Sequence, residues 1–173
     1  MTLKQLIKPF MLCRTKAQVL DELPPRTDVL QQIPMSDGER HWYEALRQQA
    51  VERLENGDDI SPLQVLTEIT RLRQFCCNPS LVLDDAAPES SKLSACLTII
   101  SVLRENHHKA LVFSQFVDHL TLLRTALDGL GVAYQYQDRA TLPAERQKRV
   151  AAFQAGEGDL FLISLKAGAP GLT

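Results

Sequence analysis

The chain has 173 residues, of which 45% are hydrophobic and 23% charged. This balance is typical of a globular protein and excludes a disordered tail, a collagen-like fibre and a low-complexity segment. No apolar run approaches the roughly 18 residues of a membrane helix, so no membrane partner is expected, and the N-terminus shows no signal-peptide pattern. The net charge of −2 argues against a protein whose whole surface coats nucleic acid.

The charge is unevenly spread along the chain. Residues 1–90 hold ten Lys and Arg against 14 Asp and Glu, whereas residues 91–173 hold nine against seven. An anionic partner is therefore expected to meet the C-terminal half. The four cysteines contain no CxxC pair, which favours buried reduced thiols over a zinc site, and we expect no metal site in the chain.

The first 83 residues are predicted to be mainly helical. Apolar spacing predicts a helix over residues 3–20, interrupted by Pro9, and residues 27–35 are predicted to be extended. Ser36 and Glu39 have the spacing of a capping box and predict the start of a second helix.

A third helix is predicted to begin at Ser61-Pro62 and to end before Asn78-Pro79. Its predicted buried face consists of Val65, Leu66, Ile69, Leu72 and Cys76. The polar segment 84–91 (DDAAPESS) then marks a boundary between two parts of the chain.

After this boundary, helices and strands alternate. Helices are predicted over residues 92–104, 117–130 and 143–155, and strands over 109–113, 132–136 and 159–164. This alternation predicts an α/β fold with a parallel sheet covered by helices on both faces. On the last helix, Arg146, Lys148 and Arg149 are interpreted as a solvated face, with phosphate contact as the alternative.

Ligands of open α/β sheets bind beyond the carboxyl ends of the strands. Two loops occupy such positions: Ser114-Gln115 follows the first strand, and Ser164 through Gly171 follows the third. Hydroxyls, the charge of Lys166 and the small residue Gly168 together suit a nucleic-acid backbone. The alternative is that the glycines serve only the geometry of the turn. No GxxxxGK[ST] loop and no nucleophile elbow occurs in the sequence.

Several blocks, in this order, resemble the second motor lobe of SWI/SNF-type ATPases, a branch of helicase superfamily two. They are KPFMLCRTKAQV, ELPPRTD, LRQFCCNPSLV, SSKL, KALVFSQFVDHL, ERQKRVAAFQ and FLISLKAGAPGLT. The resemblance implies a helical connector and family-specific insertion over residues 1–83, a linker over 84–91, and a partial second RecA-like lobe over 92–173. That lobe is expected to end inside the family's motif five.

The resemblance also implies a parent protein that hydrolyses ATP with Mg²⁺ on double-stranded DNA and translocates along it. This chain is expected to supply DNA-backbone contacts and inter-lobe coupling but no catalysis, because the Walker lysine and the arginine finger are expected outside it. The residues that match DNA-contacting motifs are Ser114, Gln115, Ser164, Lys166, Ala167 and Gly168, and Gly171 matches a position near the nucleotide cleft.

The partners implied are double-stranded DNA, the first RecA-like lobe of the same polypeptide, and RNA polymerase or another DNA-bound protein. The implied location is the cytoplasm, on the nucleoid, for a bacterial protein, and the nucleus for a eukaryotic one. Departures from the family pattern at Cys13, Cys77 and Pro170 keep an alternative open, namely a diverged non-catalytic lobe that acts as a protein- or nucleic-acid-binding scaffold. The missing phosphate loop disfavours a third hypothesis, a small nucleotide-binding α/β enzyme.

Overall fold

The computed structural model describes residues 27–55, 61–84 and 87–167. The chain divides into two compact units, Met1–Gln32 and Ile33–Thr173. In the first unit, the described residues 27–32 form neither helix nor strand, and most of their side chains are exposed. Two predicted features lie outside the described residues, namely the helix over 3–20 and the glycines at 168 and 171.

Two helices, α1 (Asp37–Glu55) and α2 (Pro62–Cys77), open the second unit and pack against each other. The capping box predicted for α1 is confirmed: the Ser36 N–H donates to Glu39 Oε2 over 2.8 Å, and the Glu39 N–H donates to Ser36 Oγ over 3.2 Å. Ser61 caps α2 in the same way, with Pro62 as the first helical residue.

The buried side of α2 differs from the predicted one. Phe75 is fully buried and its ring packs 6.2 Å from that of Tyr43 on α1. Leu66 and Ile69, however, are 58% and 49% exposed, so their predicted burial is wrong. Helical periodicity identifies an apolar stripe, but the position of α1 decides which part of the stripe is covered.

The remaining elements alternate as predicted, and their ends lie within two residues of the expected bounds. They are α3 (Ser91–Glu105), β1 (Ala110–Ser114), α4 (Val117–Gly129), β2 (Tyr134–Gln137), α5 (Pro143–Ala155) and β3 (Leu160–Ser164). A short 3-10 turn, Leu165–Ala167, follows β3.

The strands described form a parallel sheet in the order β1-β3-β2. The central strand, β3, is buried along its whole length, because it has a neighbour on each side and helices on both faces. Ser114 at the end of β1 is in register with Ser164 at the end of β3. The carboxyl ends of all three strands therefore meet at one edge of the sheet.

Alternate residues of β3 serve two cores. Leu160 and Leu162 pack with apolar residues of α3 and α4, including Ile100, Leu120, Leu123 and Leu127. Phe161 and Ile163 pack on the other face against Phe153 of α5, with the two phenylalanine rings 5.5 Å apart. Each fully buried side chain of this size stabilises the folded state by about 1.5–3 kcal/mol. The two cores therefore fix the position of the sheet and of its carboxyl edge.

No helix in the described ranges is long and apolar enough to cross a bilayer.

Candidate nucleic-acid interface

The two predicted binding loops lie side by side at the carboxyl edge of the sheet. Ser114 and Ser164 are neighbours across β1 and β3. Gln115 follows the first of these serines directly, and Lys166 follows the second by two residues. The fold therefore brings together two sets of residues that are about fifty positions apart in the sequence.

The predicted site residues differ in exposure. The side chains of Gln115 and Lys166 are exposed, whereas Ser114, Ser164 and Ala167 are buried. The exposed pair can meet a macromolecule directly, while the buried residues shape the edge beneath it. DNA contact by each of these residues stays a prediction.

The Ser114 hydroxyl fixes the conformation of the first loop. It accepts a hydrogen bond from the Phe116 N–H over 3.2 Å and lies 3.1 Å from the Phe116 carbonyl oxygen, to which it can donate. Such local side-chain bonds stabilise tight turns. Gln115 is consequently held at the tip of the turn, immediately before α4 begins.

A half-buried histidine adjoins the same serine. His119 Nδ1 lies 3.3 Å from Ser114 Oγ, and burial, together with the positive charge of Lys92, lowers the pKa of the imidazole. Two buried atoms find no hydrogen-bond partner in the described part of the chain, His119 Nε2 and Ser164 Oγ. Both residues neighbour Ser114, so the unsatisfied polar groups gather at the sheet edge. The sequence indicated Ser164 but not His119.

The second loop is anchored by α5. Arg146 donates from Nε to the Thr141 carbonyl over 2.9 Å and from Nη1 to the Ala167 carbonyl over 3.0 Å. The interpretation of this residue as part of a solvated face is wrong, because its guanidinium holds the backbone next to Lys166.

Arg149 corrects the same interpretation. It donates to the Tyr136 carbonyl and lies 3.6 Å from Glu145. Only Lys148 of the three cations fits the predicted solvated face, since it is exposed and 3.9 Å from Glu145.

Asp138 closes the edge beyond β2. Its Oδ1 accepts hydrogen bonds from the N–H groups of Ala140 and Thr141 over 3.0 and 3.1 Å, and Tyr136 donates to its Oδ2 over 2.9 Å. Burial by itself raises the pKa of Asp138, but these hydrogen bonds outweigh burial and the net pKa is lowered. The carboxylate is thus engaged within its own turn.

The structure also reveals a contact that the sequence did not predict. Arg73 of α2 donates from Nη2 to Gln115 Oε1, across 42 positions of sequence. The sequence offers two signals for Arg73: it lies in the LRQF block, and with Arg71 it forms a pair of arginines on one helix that could line a groove.

The described thiols, at Cys76, Cys77 and Cys96, are half-buried. Burial raises the pKa of Cys76 and of Cys96, which favours the protonated and unreactive form. In the described ranges, no group of three His, Cys, Asp or Glu side chains is arranged to hold a metal ion.

A parallel sheet with helices on both faces and a polar loop cluster at its carboxyl edge defines the chain as an α/β protein of the RecA-like class. Two solved structures share this fold. The Sulfolobus solfataricus SWI2/SNF2 ATPase core in complex with dsDNA superposes with a TM-score of 0.72 at 22% identity, over 94% of this chain and 36% of that one. The C-terminal domain of a Sulfolobus solfataricus SWI2/SNF2 ATPase gives a TM-score of 0.70 at 20% identity, over 82% of this chain and 64% of that one.

Sequence comparison reaches the same class. The SNF2-related domain matches residues 1–81, and the Helicase conserved C-terminal domain matches residues 91–173. The chain belongs to the SNF2-type helicases, as the resemblance indicated, and corresponds to a C-terminal portion of their ATPase region.

Curated relatives agree with this assignment. The zebrafish chromodomain-helicase-DNA-binding protein 1-like is 28% identical over 98% of this chain and 17% of its own length. An uncharacterized ATP-dependent helicase of Mycoplasma pneumoniae is 30% identical over 98% of this chain and 16% of its own length. The chain therefore spans about a sixth of the length of these relatives.

Proposed function

We propose that this chain is the part of a DNA-dependent ATPase that grips the DNA backbone and couples that grip to the first RecA-like lobe. The observation that carries the proposal is the register of Ser114 with Ser164, because it places exposed Gln115 and exposed Lys166 on one edge. A solved SWI2/SNF2 core with the same fold is in complex with double-stranded DNA, which supports this choice of ligand.

The chemistry of the edge suits phosphate rather than bases. Lys166 forms no ion pair in the described ranges, so its charge is available to an anion. Gln115 adds a neutral donor, and Arg146 holds the turn on which Lys166 stands. A lysine and an amide at a sheet edge supply position and charge but no code for base sequence. Binding is therefore expected to be independent of sequence and sensitive to salt.

ATP and Mg²⁺ belong to the complete protein in this proposal. The sequence has no phosphate-binding P-loop, and the described residues bring together no carboxylate cluster for Mg²⁺. The described residues thus offer no ligand set for Mg²⁺, and no step of hydrolysis is assigned to them. Their role is to hold DNA while the remainder of the protein performs the chemistry.

Binding of the 173-residue chain to short fluorescent duplexes of two unrelated sequences tests the grip. Fluorescence anisotropy is expected to give equal affinities for the two sequences, and both should fall as salt rises. Lys166→Gln should reduce the slope of log K against log salt by about 0.9, the value for one lost phosphate contact. Lys148→Gln is the matched control, because Lys148 is also exposed but pairs with Glu145. Absence of binding, or equal effects of the two substitutions, would contradict the proposal.

The ATPase rate of the complete protein, with and without double-stranded DNA, tests the coupling. DNA should raise the rate, and Lys166→Ala should weaken the stimulation while leaving the rate without DNA unchanged. A complete protein that shows no turnover under either condition would favour the scaffold alternative instead.

A further inference from the structure

The side chain of Arg73, on α2, reaches the loop that follows β1. Its guanidinium donates to the side-chain oxygen of Gln115, and both side chains are exposed. Arg73 forms no ion pair in the described part of the chain. Since an amide is neutral, the contact with Gln115 orients the guanidinium without cancelling its charge.

Lys92, the second residue of α3, brings another uncompensated charge close by. Its side chain is exposed and has no ion pair within the described ranges. Lys92 lines the same cavity as Cys76, which lies in the last turn of α2, three residues after Arg73. The start of α3 therefore lies beside the end of α2. The charge of Lys92 also lowers the pKa of the His119 imidazole.

The acidic groups of this region leave the two cations free. Glu39, which also acts on Cys76, is buried and accepts hydrogen bonds from Ser36 and Ser91. Asp118 is exposed in the first turn of α4, where it suits the positive end of the helix dipole, and forms no ion pair in the described ranges. Neither carboxylate therefore forms an ion pair with Arg73 or Lys92 in the described ranges.

We propose that Arg73 and Lys92 bind phosphates of the same DNA duplex, so that the interface extends from the sheet edge onto α2 and α3. This inference rests on the proposed function and adds two binding residues outside the two loops. A guanidinium suits a phosphate especially well, because its parallel N–H groups match two phosphate oxygens. DNA is favoured over an acidic protein because Arg73 is held by Gln115, a residue of the proposed DNA edge.

In this arrangement Gln115 is a positioning residue for Arg73. A double-mutant cycle separates this role from an independent contact. If Gln115 orients the guanidinium in addition to its own contact, Gln115→Ala should weaken DNA binding more in the wild-type background than in Arg73→Gln. Independent contributions of the two residues would remove the positioning role.

The salt dependence of duplex binding tests the two cations. Arg73→Gln and Lys92→Gln should each reduce the slope by about 0.9, and the double variant by about 1.8. Arg104→Gln is the matched control, since it removes the same charge from the exposed far end of α3, about 18 Å along the helix from Lys92. Circular dichroism confirms that each variant remains folded.

The outcomes separate the inference from the proposed function. Unchanged slopes in folded Arg73→Gln and Lys92→Gln, with a reduced slope in Lys166→Gln, would overturn the inference and leave the proposed function standing. A wild-type chain that does not bind the duplex would overturn both. Equal slope losses in Arg104→Gln would show a general charge effect and would also overturn the inference.

Discussion

Glu39 and Ser91 are 52 positions apart, yet one carboxylate joins the first turns of two helices. The Ser91 N–H donates to Glu39 Oε1 over 2.9 Å, and the Ser91 hydroxyl donates to Oε2. Oε2 also accepts the Ser36 N–H. Negative charge is favourable at helix N-termini, and here it satisfies donors at the starts of both α1 and α3. The contact joins α1 to the last residue of segment 84–91, and both residues lie within the unit Ile33–Thr173.

Glu39→Ala is expected to lower the free energy of unfolding by about 2–3 kcal/mol, because the Ser36 and Ser91 donors lose a buried acceptor. Urea unfolding followed by circular dichroism measures the change. Glu44→Ala is the control on the same helix: its carboxylate is exposed and pairs with Arg47 at 2.7 Å, so a change within about 0.5 kcal/mol is expected. Equal losses in the two variants would contradict a special role for Glu39.

Local signals predicted much of this framework. Ser36 and Glu39 were expected to form a capping box, and periodicity indicated the alternation of helices and strands. Because parallel strands have a fixed direction, the meeting of Ser114 and Ser164 at one edge also followed from the sequence. The domain bounds themselves stay a prediction.

Contacts between distant elements could not be predicted in the same way. The Ser91 partner of Glu39, the Gln115 partner of Arg73 and the backbone acceptors of Arg146 all depend on where other elements pack. A cation on a helix looks the same in sequence whether it faces water or a carbonyl. The exposure of Leu66 escaped prediction for the same reason, since only the placement of α1 decides it.

His119 should make stability depend on pH in the mildly acidic range. Burial and Lys92 lower the pKa of its imidazole below the ordinary value of 6.5, so the unfolded chain binds more protons between the folded pKa and 6.5. The contribution of the neutral His119 ring to the free energy of unfolding is therefore fully present above pH 6.5. It is lost as the pH falls through that window. Urea midpoints measured across this range should fall with pH in the wild type and fall less in His119→Gln. Parallel curves for the two proteins would refute the assignment.

Gly158→Ala should be strongly destabilising. Gly158 has φ +95°, and a Cβ there would lie 3.1 Å from the Ala133 carbonyl oxygen and 3.2 Å from Tyr134 N. Both the left-handed backbone and the contact with the start of β2 oppose a side chain, so a loss of about 2 kcal/mol or more is expected. Gly129→Ala, at the end of α4 with no atom near the new Cβ, should be neutral or stabilising by up to about 1 kcal/mol. Thermal melting compares the stabilities of the two variants. A Gly158→Ala variant as stable as the wild type would show that this position accepts a Cβ without strain.

Ser164→Ala is expected to separate stability from function. The Ser164 side chain is 1% exposed and its hydroxyl has no hydrogen-bond partner in the described part of the chain. Removal of an unsatisfied buried hydroxyl should leave stability unchanged or raise it by about 1 kcal/mol. Ser114→Ala, its neighbour in register, should instead cost about 1 kcal/mol, because the Phe116 N–H loses its acceptor.

The pair of serines thereby tests whether these buried hydroxyls contribute to binding as well as to stability. If both serines shape the edge that holds DNA, both alanine variants weaken duplex binding although their stabilities move in different directions. Urea unfolding and fluorescence anisotropy on the same preparations measure the two quantities. A Ser164→Ala chain that is more stable and binds DNA as the wild type does would remove Ser164 from the interface. The unsatisfied hydroxyl of Ser164 would then lower the stability of the chain without contributing to DNA binding.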